Sequence, residues 1–77
     1  SLNEIVIMND GSVYINDELL NITDMSVIEN SIFNLPDNEG SIILSAHSES
    51  LHIWVISVMD ILNKYGFDEV QIRTIEK

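Results

Sequence analysis

The segment from Ser50 to Gly66 constrains the fold of this chain more than any other stretch, because its apolar residues recur at helical spacing. They form one buried stripe with two flanking residues: Leu51, Val55, Val58 and Leu62 in the stripe, and Trp54 and Met59 beside it. Ser50 is the predicted N-cap, because its hydroxyl can accept a hydrogen bond from a first-turn amide. Gly66 is the predicted end, because glycine readily takes the left-handed conformation that follows many helices.

Two isoleucines in this helix do not belong to the buried stripe. At about 100° per residue, Ile53 and Ile56 fall on the opposite, polar side of the helix. A second apolar spot on a polar face suggests a partner, so we predict that the domain forms a homodimer through Ile53 and Ile56. The alternatives are a neighbouring loop that covers them, or the scattered apolar residues found on most protein surfaces.

The beginning of the chain predicts a β-hairpin followed by a short third segment. The β-branched runs 4–8 and 13–15 flank Asp10 and Gly11, a pair that accommodates the positive φ angles of a tight hairpin turn. A second turn at 16–18 follows. The apolar stretch 19–22 is either a brief third strand or the lead-in to a helix.

A helix and an inner strand are predicted next. The helix has one apolar face, formed by Met25, Ile28, Ile32 and Leu35. Thr23 is its expected N-cap, and Pro36 disfavours helical geometry at the residue before it, so the helix should stop near Asn34. Residues 36–40 predict a polar turn, and the continuous apolar run 41–46 predicts a strand inside the sheet.

The last segment, from Val70 to Ile75, alternates apolar and polar residues as a half-buried strand does. Together these elements predict a single α+β domain over residues 1–77. Its architecture is a mixed β-sheet with two helices packed on one face, in the order ββ(β)αβαβ.

Because no later element can cover it, the final strand is predicted at or near a sheet edge, where unpaired amides and carbonyls can bind an added strand. The predicted partner-binding residues are Val70, Gln71, Ile72, Arg73 and Thr74. Val70 and Ile72 would hold the strand on the core, whereas Gln71 and Arg73 would face outward. The docked partner is a segment of another protein or the same strand of a second subunit. The alternative is that the first hairpin already pairs with this edge.

Composition excludes several classes of partner and site. The chain has 13 acidic and 3 basic residues, a net charge of −10, which disfavours nucleic acid and anionic membrane surfaces because both are bound through lysine and arginine. It has no cysteine, and therefore no disulfide or thiolate metal site. No apolar run approaches the roughly 20 residues of a membrane-spanning helix. Because the sequence begins with Ser1 rather than Met, we expect a fragment of a longer protein, with any membrane anchor upstream.

His47, Glu49 and His52 are the only metal-ligating side chains close together in the sequence. The two histidines are separated by a loop-to-helix boundary instead of sharing one rigid element, so we expect no metal site. The simpler interpretation is two exposed imidazoles beside a helix start. The sequence contains neither a glycine-rich phosphate loop nor a G-x-S-x-G nucleophile motif, and we expect neither a cofactor nor enzymatic activity.

Four motifs in order resemble the periplasmic domain of the ExbD/TolR family over residues 3–74. They are an early DG…YIN within 10–16, a strand ending at 42–46, VMD.L…GF within 58–67, and a final V.I.T at 70–74. The chain departs from the family pattern at His47, where members often have aspartate after an alanine, and at His52, where a tyrosine is common.

The resemblance implies a subunit of a proton-driven motor, on the periplasmic side of the bacterial inner membrane and anchored by one upstream transmembrane helix. The implied partners are an ExbB/TolQ-like membrane subunit and either a TonB/TolA-like protein or, as for TolR-like members, peptidoglycan. The family's proton-carrying aspartate lies in the transmembrane helix, so Asp60 does not correspond to it.

Two classes of function follow. The first is a non-enzymatic coupling module for transport or energy transduction, ExbD-like or TolR-like. The alternative is a regulatory α+β domain that binds a small ligand at a dimer interface. The apolar residues on the back of the helix favour the first class, and fold analogy alone does not separate the two.

Overall fold

The computed structural model describes residues 2–36 and 40–76. It contains a five-stranded mixed sheet and two helices, in the order βββαβαβ. The elements are β1 (Asn3–Ile7), β2 (Ser12–Ile15), β3 (Glu18–Asn21), α1 (Met25–Phe33), β4 (Ser41–His47), α2 (His52–Lys64) and β5 (Glu69–Ile75). The predicted α+β class is confirmed, and the uncertain third segment is a strand.

The strands are arranged in the order β3-β2-β1-β4-β5. β1 pairs antiparallel with β2, and β2 with β3, whereas β4 runs parallel to both β1 and β5. β4 is therefore the predicted inner strand, and β5 lies at the sheet edge. The alternative that β5 pairs with the first hairpin is wrong. β5 pairs with β4, and β4 lies between β5 and β1.

The core lies between the helices and one face of the sheet. Cross-strand partners share a face, and the register Ile15–Ile5–Leu44 places three buried residues in one row. Val58 and Leu62 of α2 are fully buried in the same cluster, which also includes residues of α1. The alternating strands and the amphipathic helices thus meet at one shared apolar layer.

The hairpin turn forms where the Asp10-Gly11 pair predicts it. Gly11 has φ of +92°, and the Ser12 amide donates a 3.0 Å hydrogen bond to the Asp10 carboxylate. A Cβ at Gly11 would lie 3.5 Å from Ile22 and 3.6 Å from the Trp54 ring, which is ordinary contact. Glycine is needed here for its backbone conformation and not for lack of space.

Both predicted N-caps are wrong. The N-cap of α1 is Asp24, and the hydroxyl and amide of Thr23 instead donate to Asn21 Oδ1 at 2.7 and 2.9 Å. The N-cap of α2 is Leu51, and the Ser50 hydroxyl donates to the His47 carbonyl at 2.8 Å. Local side-chain hydrogen bonds compete with capping, and Thr23 and Ser50 make such local bonds instead of capping the helices. Leu51 consequently precedes the helix and is 55% exposed, so it does not extend the buried stripe.

The helix ends agree better with prediction. α1 ends at Phe33 with Asn34 as its C-cap. Gly66 takes φ of +89° after α2, and the Phe67 amide donates to the Leu62 carbonyl, which closes the last turn. The predicted polar turn at 36–40 lies partly outside the described residues, which omit 37–39.

A polar contact joins the carboxyl-terminal halves of the helices. Glu29 accepts hydrogen bonds from Lys64 at 2.7 Å and from the Tyr65 hydroxyl at 2.6 Å, and the Tyr65 ring meets Phe33 edge-on at 5.5 Å. The hydrogen bond from Lys64, and then that from Tyr65, lowers the pKa of Glu29. The hydrogen bond to Glu29 raises the pKa of Tyr65 above its ordinary value.

Leu62→Ala should lower the free energy of unfolding by about 2–5 kcal/mol, because it removes buried methyl groups from a fully buried site. Leu19→Ala is the matched control, since Leu19 is 58% exposed on β3. Urea unfolding followed by circular dichroism measures both. Equal losses for the two variants would contradict the placement of the core.

In a Tyr14→Phe background, Tyr65 should ionise above the ordinary pKa of a tyrosine. Glu29→Gln removes the charged acceptor and should lower the Tyr65 pKa toward the ordinary range. Phenolate absorbance against pH reports both values. The contact is absent in solution if the two proteins titrate identically.

Candidate interaction surface

Within residues 2–36 and 40–76, no strand pairs with the outer edge of β5, so this edge presents unpaired backbone groups. The Glu69 amide donates to the Gly40 carbonyl at 3.0 Å, and the Ser48 amide donates to the Ile75 carbonyl at 2.8 Å. The odd-numbered residues therefore direct their N–H and C=O groups toward β4. Because successive residues of a strand point these groups to opposite sides, Val70, Ile72 and Thr74 direct theirs away from the sheet.

The β5 side chains alternate as predicted. Val70 and Ile72 pair in register with the core residues Ile42 and Leu44, so they share the helix-covered face. Gln71 and Arg73 share the opposite face, which we call the open face. Ile72 lies on the predicted face, but it is 50% exposed and therefore less buried than the prediction that it holds the strand on the core requires. Among the described residues β5 is the last strand on this side of the sheet, so no strand covers the outer side of Ile72.

Residues of α2 extend the apolar area beside β5. Val55 and His52 line one groove with Ile72, and Met59 lines the next groove with Val70. Ile56 is 39% exposed and Met59 is 37% exposed. We define the β5 surface as the β5 edge with Val70 and Ile72, together with Ile56 and Met59 of α2.

The two isoleucines predicted at a dimer interface are both exposed, but they do not lie in the same place. Ile56 is four residues after His52 and three before Met59, so it lies on the flank of α2 that faces β5. Ile53 is 62% exposed and lies roughly 60° further round the helix, away from β5. The fold thus brings Ile56 to the β5 surface and leaves Ile53 on the outer back of α2.

The open face of β5 carries one charge of each sign. Glu69 Oε1 accepts a 2.8 Å hydrogen bond from the Ser41 hydroxyl, which draws the carboxylate toward β4. Arg73 pairs in register with Ser45, whose hydroxyl donates to Glu4. Within residues 2–36 and 40–76 the ion pair present is Lys64–Glu29, so Arg73 makes none there. Sequence reasoning missed Glu69, although the alternation that predicts β5 continues to it.

From the sequence alone, Met59 is predicted only at the flank of the buried stripe. Its place on the β5 surface follows from the i, i+3 relation to Ile56, which was present in the sequence. The sequence does not show which strand lies beside this flank of α2. That strand is β5, and identifying it requires the order of strands in the sheet.

The histidine cluster is not arranged as two exposed imidazoles. His47 is only 8% exposed, and its Nδ1 accepts a 3.0 Å hydrogen bond from the Glu49 amide. His52 is exposed at the start of α2. In the part of the chain that the structure describes, no three acidic, histidine or cysteine side chains converge as metal ligands would.

Comparison with known proteins assigns no family. No family model matches the chain, and no curated protein matches it significantly. Among the described residues, no helix has both the length and the apolar character needed to cross a membrane.

Amide exchange tests the geometry of the β5 edge. In a dilute, partner-free sample, the amides of Val70, Ile72 and Thr74 should exchange faster than those of Gln71 and Arg73, which point toward β4. The inner strand β4, from Ile42 to Leu44, is the protected reference. Uniform protection from 70 to 74, equal to that of β4, would mean that the edge is covered.

Proposed function

We propose that this chain is a non-enzymatic coupling module on the periplasmic side of a bacterial inner-membrane complex driven by the proton-motive force. It is ExbD-like, engaging a TonB-type protein, or TolR-like, engaging peptidoglycan. The observation that supports this most is the β5 surface. It is a strand edge that no described strand pairs with, beside three partly exposed apolar residues, Ile56, Met59 and Ile72.

A sheet edge suits a protein that transmits force. A strand added to β5 is held by several backbone hydrogen bonds, and a pull along the strand direction loads these bonds together. Ile72 and Met59 would bury apolar area against the partner. Arg73 on the open face offers a cation to an acidic segment or to a peptidoglycan carboxylate, in a domain whose net charge is −10.

A regulatory ligand-binding domain is the second candidate, and one groove favours it. The groove has a volume of about 420 Å³ and lies between the start of α2 and β5, with His52, Arg73 and Thr74 among its lining residues. It lies at the carboxyl ends of the parallel strands β4 and β5, a common place for ligands in sheets with parallel strands. The groove is open and shallow beside the β5 surface, so we rank this function second.

Site-specific photo-crosslinking in the full-length parent protein, in its native host, tests the coupling function. A photoreactive amino acid at Gln71 or Met59 should cross-link to a TonB- or TolA-type protein, or to isolated peptidoglycan. The matched control position is Asn21, exposed on β3 at the opposite sheet edge.

The coupling function also predicts a phenotype. Ile72→Lys in the parent protein should abolish proton-driven uptake or envelope maintenance while leaving protein abundance unchanged. Cross-links to a second copy alone, with normal uptake in Ile72→Lys, would count against coupling. A metabolite that raises the melting temperature of the wild type but not of Arg73→Ala would favour the second candidate.

A further inference from the structure

Two grooves lie side by side between α2 and β5, and they differ in charge. Among the described residues that line the groove beside Ile72, none is acidic. The groove beside Val70 has a volume of about 440 Å³, and it combines an apolar floor with two carboxylates. Its lining residues are Met59, Asp60, Asn63, Phe67, Asp68 and Val70. The helix-covered side of the β5 surface is therefore acidic at its beginning and free of acids further along. We call the groove beside Val70 the acidic groove.

No cation of the described chain neutralises the acidic groove. The ion pair formed in that part of the chain is Lys64–Glu29, so Asp60 and Asp68 form none there. Both carboxylates belong to exposed residues. Two unpaired carboxylates above an apolar floor match the side chain of lysine or arginine, whose hydrocarbon stem packs on apolar surface while its charged end remains at the rim.

We propose that the partner segment that adds to β5 places a lysine or arginine side chain in the acidic groove. The inference rests on the proposed function for the docking of a partner protein along β5, and it adds the chemistry by which that protein is selected. The stem of the basic side chain packs on Met59 and Val70, and its charged end reaches the carboxylates of Asp60 and Asp68.

The two faces of β5 add a second requirement. A partner residue in register with Val70 shares the helix-covered face, whereas one in register with Arg73 shares the open face. Arg73 forms no ion pair in the described part of the chain, so an acidic residue is the favourable one opposite it. The partner segment therefore carries its base and its acid three residues apart, on opposite faces. An apolar residue in register with Ile72 covers the exposed half of that side chain.

The spacing holds for either direction of the added strand. A parallel segment reads base, polar, apolar and acid, and an antiparallel segment reads the same four types in reverse. Exchanging the base and the acid would place like charges together on both faces. Moving them to two residues apart would put both on one face, where only one of them can meet its opposite charge. The β5 surface thus selects by repulsion as well as by attraction.

Peptide binding tests the acidic groove. One probe has the order Lys-Thr-Val-Glu and the other Glu-Val-Thr-Lys, each flanked by threonines and blocked at both ends. The control peptide has the same composition with the order Lys-Val-Glu-Thr. In nuclear magnetic resonance titrations of the isotope-labelled chain at low ionic strength, at least one probe should shift the amide resonances of Met59 and Val70. It should also bind about threefold or more tightly than the control, and the proposal is wrong if neither probe does.

Charge-neutral variants of the groove provide a matched comparison. Asp60→Asn and Asp68→Asn keep the size of each side chain and remove its charge. Each should weaken the favoured probe by about two- to fivefold, the usual effect of an exposed ion pair. Asp17→Asn, in the turn between β2 and β3, removes the same charge at the other side of the sheet and should leave binding unchanged. Equal weakening by all three variants would mean that net charge selects the peptide, and it would overturn the proposal.

The full-length parent protein separates this inference from the proposed function. The double variant Asp60→Asn/Asp68→Asn should reduce cross-linking of a coupling protein from position Gln71. Cross-linking from Gln71 that the double variant leaves unchanged would support coupling and overturn the role of the acidic groove. Probes that bind as expected, in a host where Gln71 cross-links to no coupling partner, would support the groove and count against the proposed function.

Discussion

The position of β4 between β1 and β5 determines most of this structure. Its parallel pairing on both sides places Ile42 and Leu44 at the centre of the sheet, where both are fully buried. The two parallel connections require crossing segments, and α1 and α2 lie within them. Once β1 occupies one side of β4, the strand after α2 can pair only on the other side, and this makes β5 an edge.

The part of the fold that sequence could predict is the part set by periodicity and turn chemistry. The buried residues Val58 and Leu62 recur at helical spacing, and Gly11 and Gly66 mark a hairpin turn and a helix end that the structure contains. These features depend on neighbours a few residues away, so a single sequence carries enough information to place them.

Features that depend on competing contacts could not be predicted in the same way. The hydroxyls of Thr23 and Ser50 had two local uses, capping or a turn, and composition does not rank them. Ile72 alternates like a core residue, but its burial depends on whether another strand lies beyond it. The candidate surface was located by its strand, whereas the contribution of Met59 and Glu69 required knowledge of which elements lie side by side.

Charge makes the two sheet edges unequal. Of the three basic residues, Lys64 is engaged by Glu29, and Lys77 lies outside the described residues, so Arg73 places the remaining cation on β5. The opposite edge, β3, is only four residues long and begins at Glu18, next to Asp17. Two β3 edges brought together would crowd four carboxylates with no cation between them. Like-charge repulsion therefore disfavours adding a second copy at the β3 edge, and the same acidic end makes this side of the sheet a poor start for a fibril.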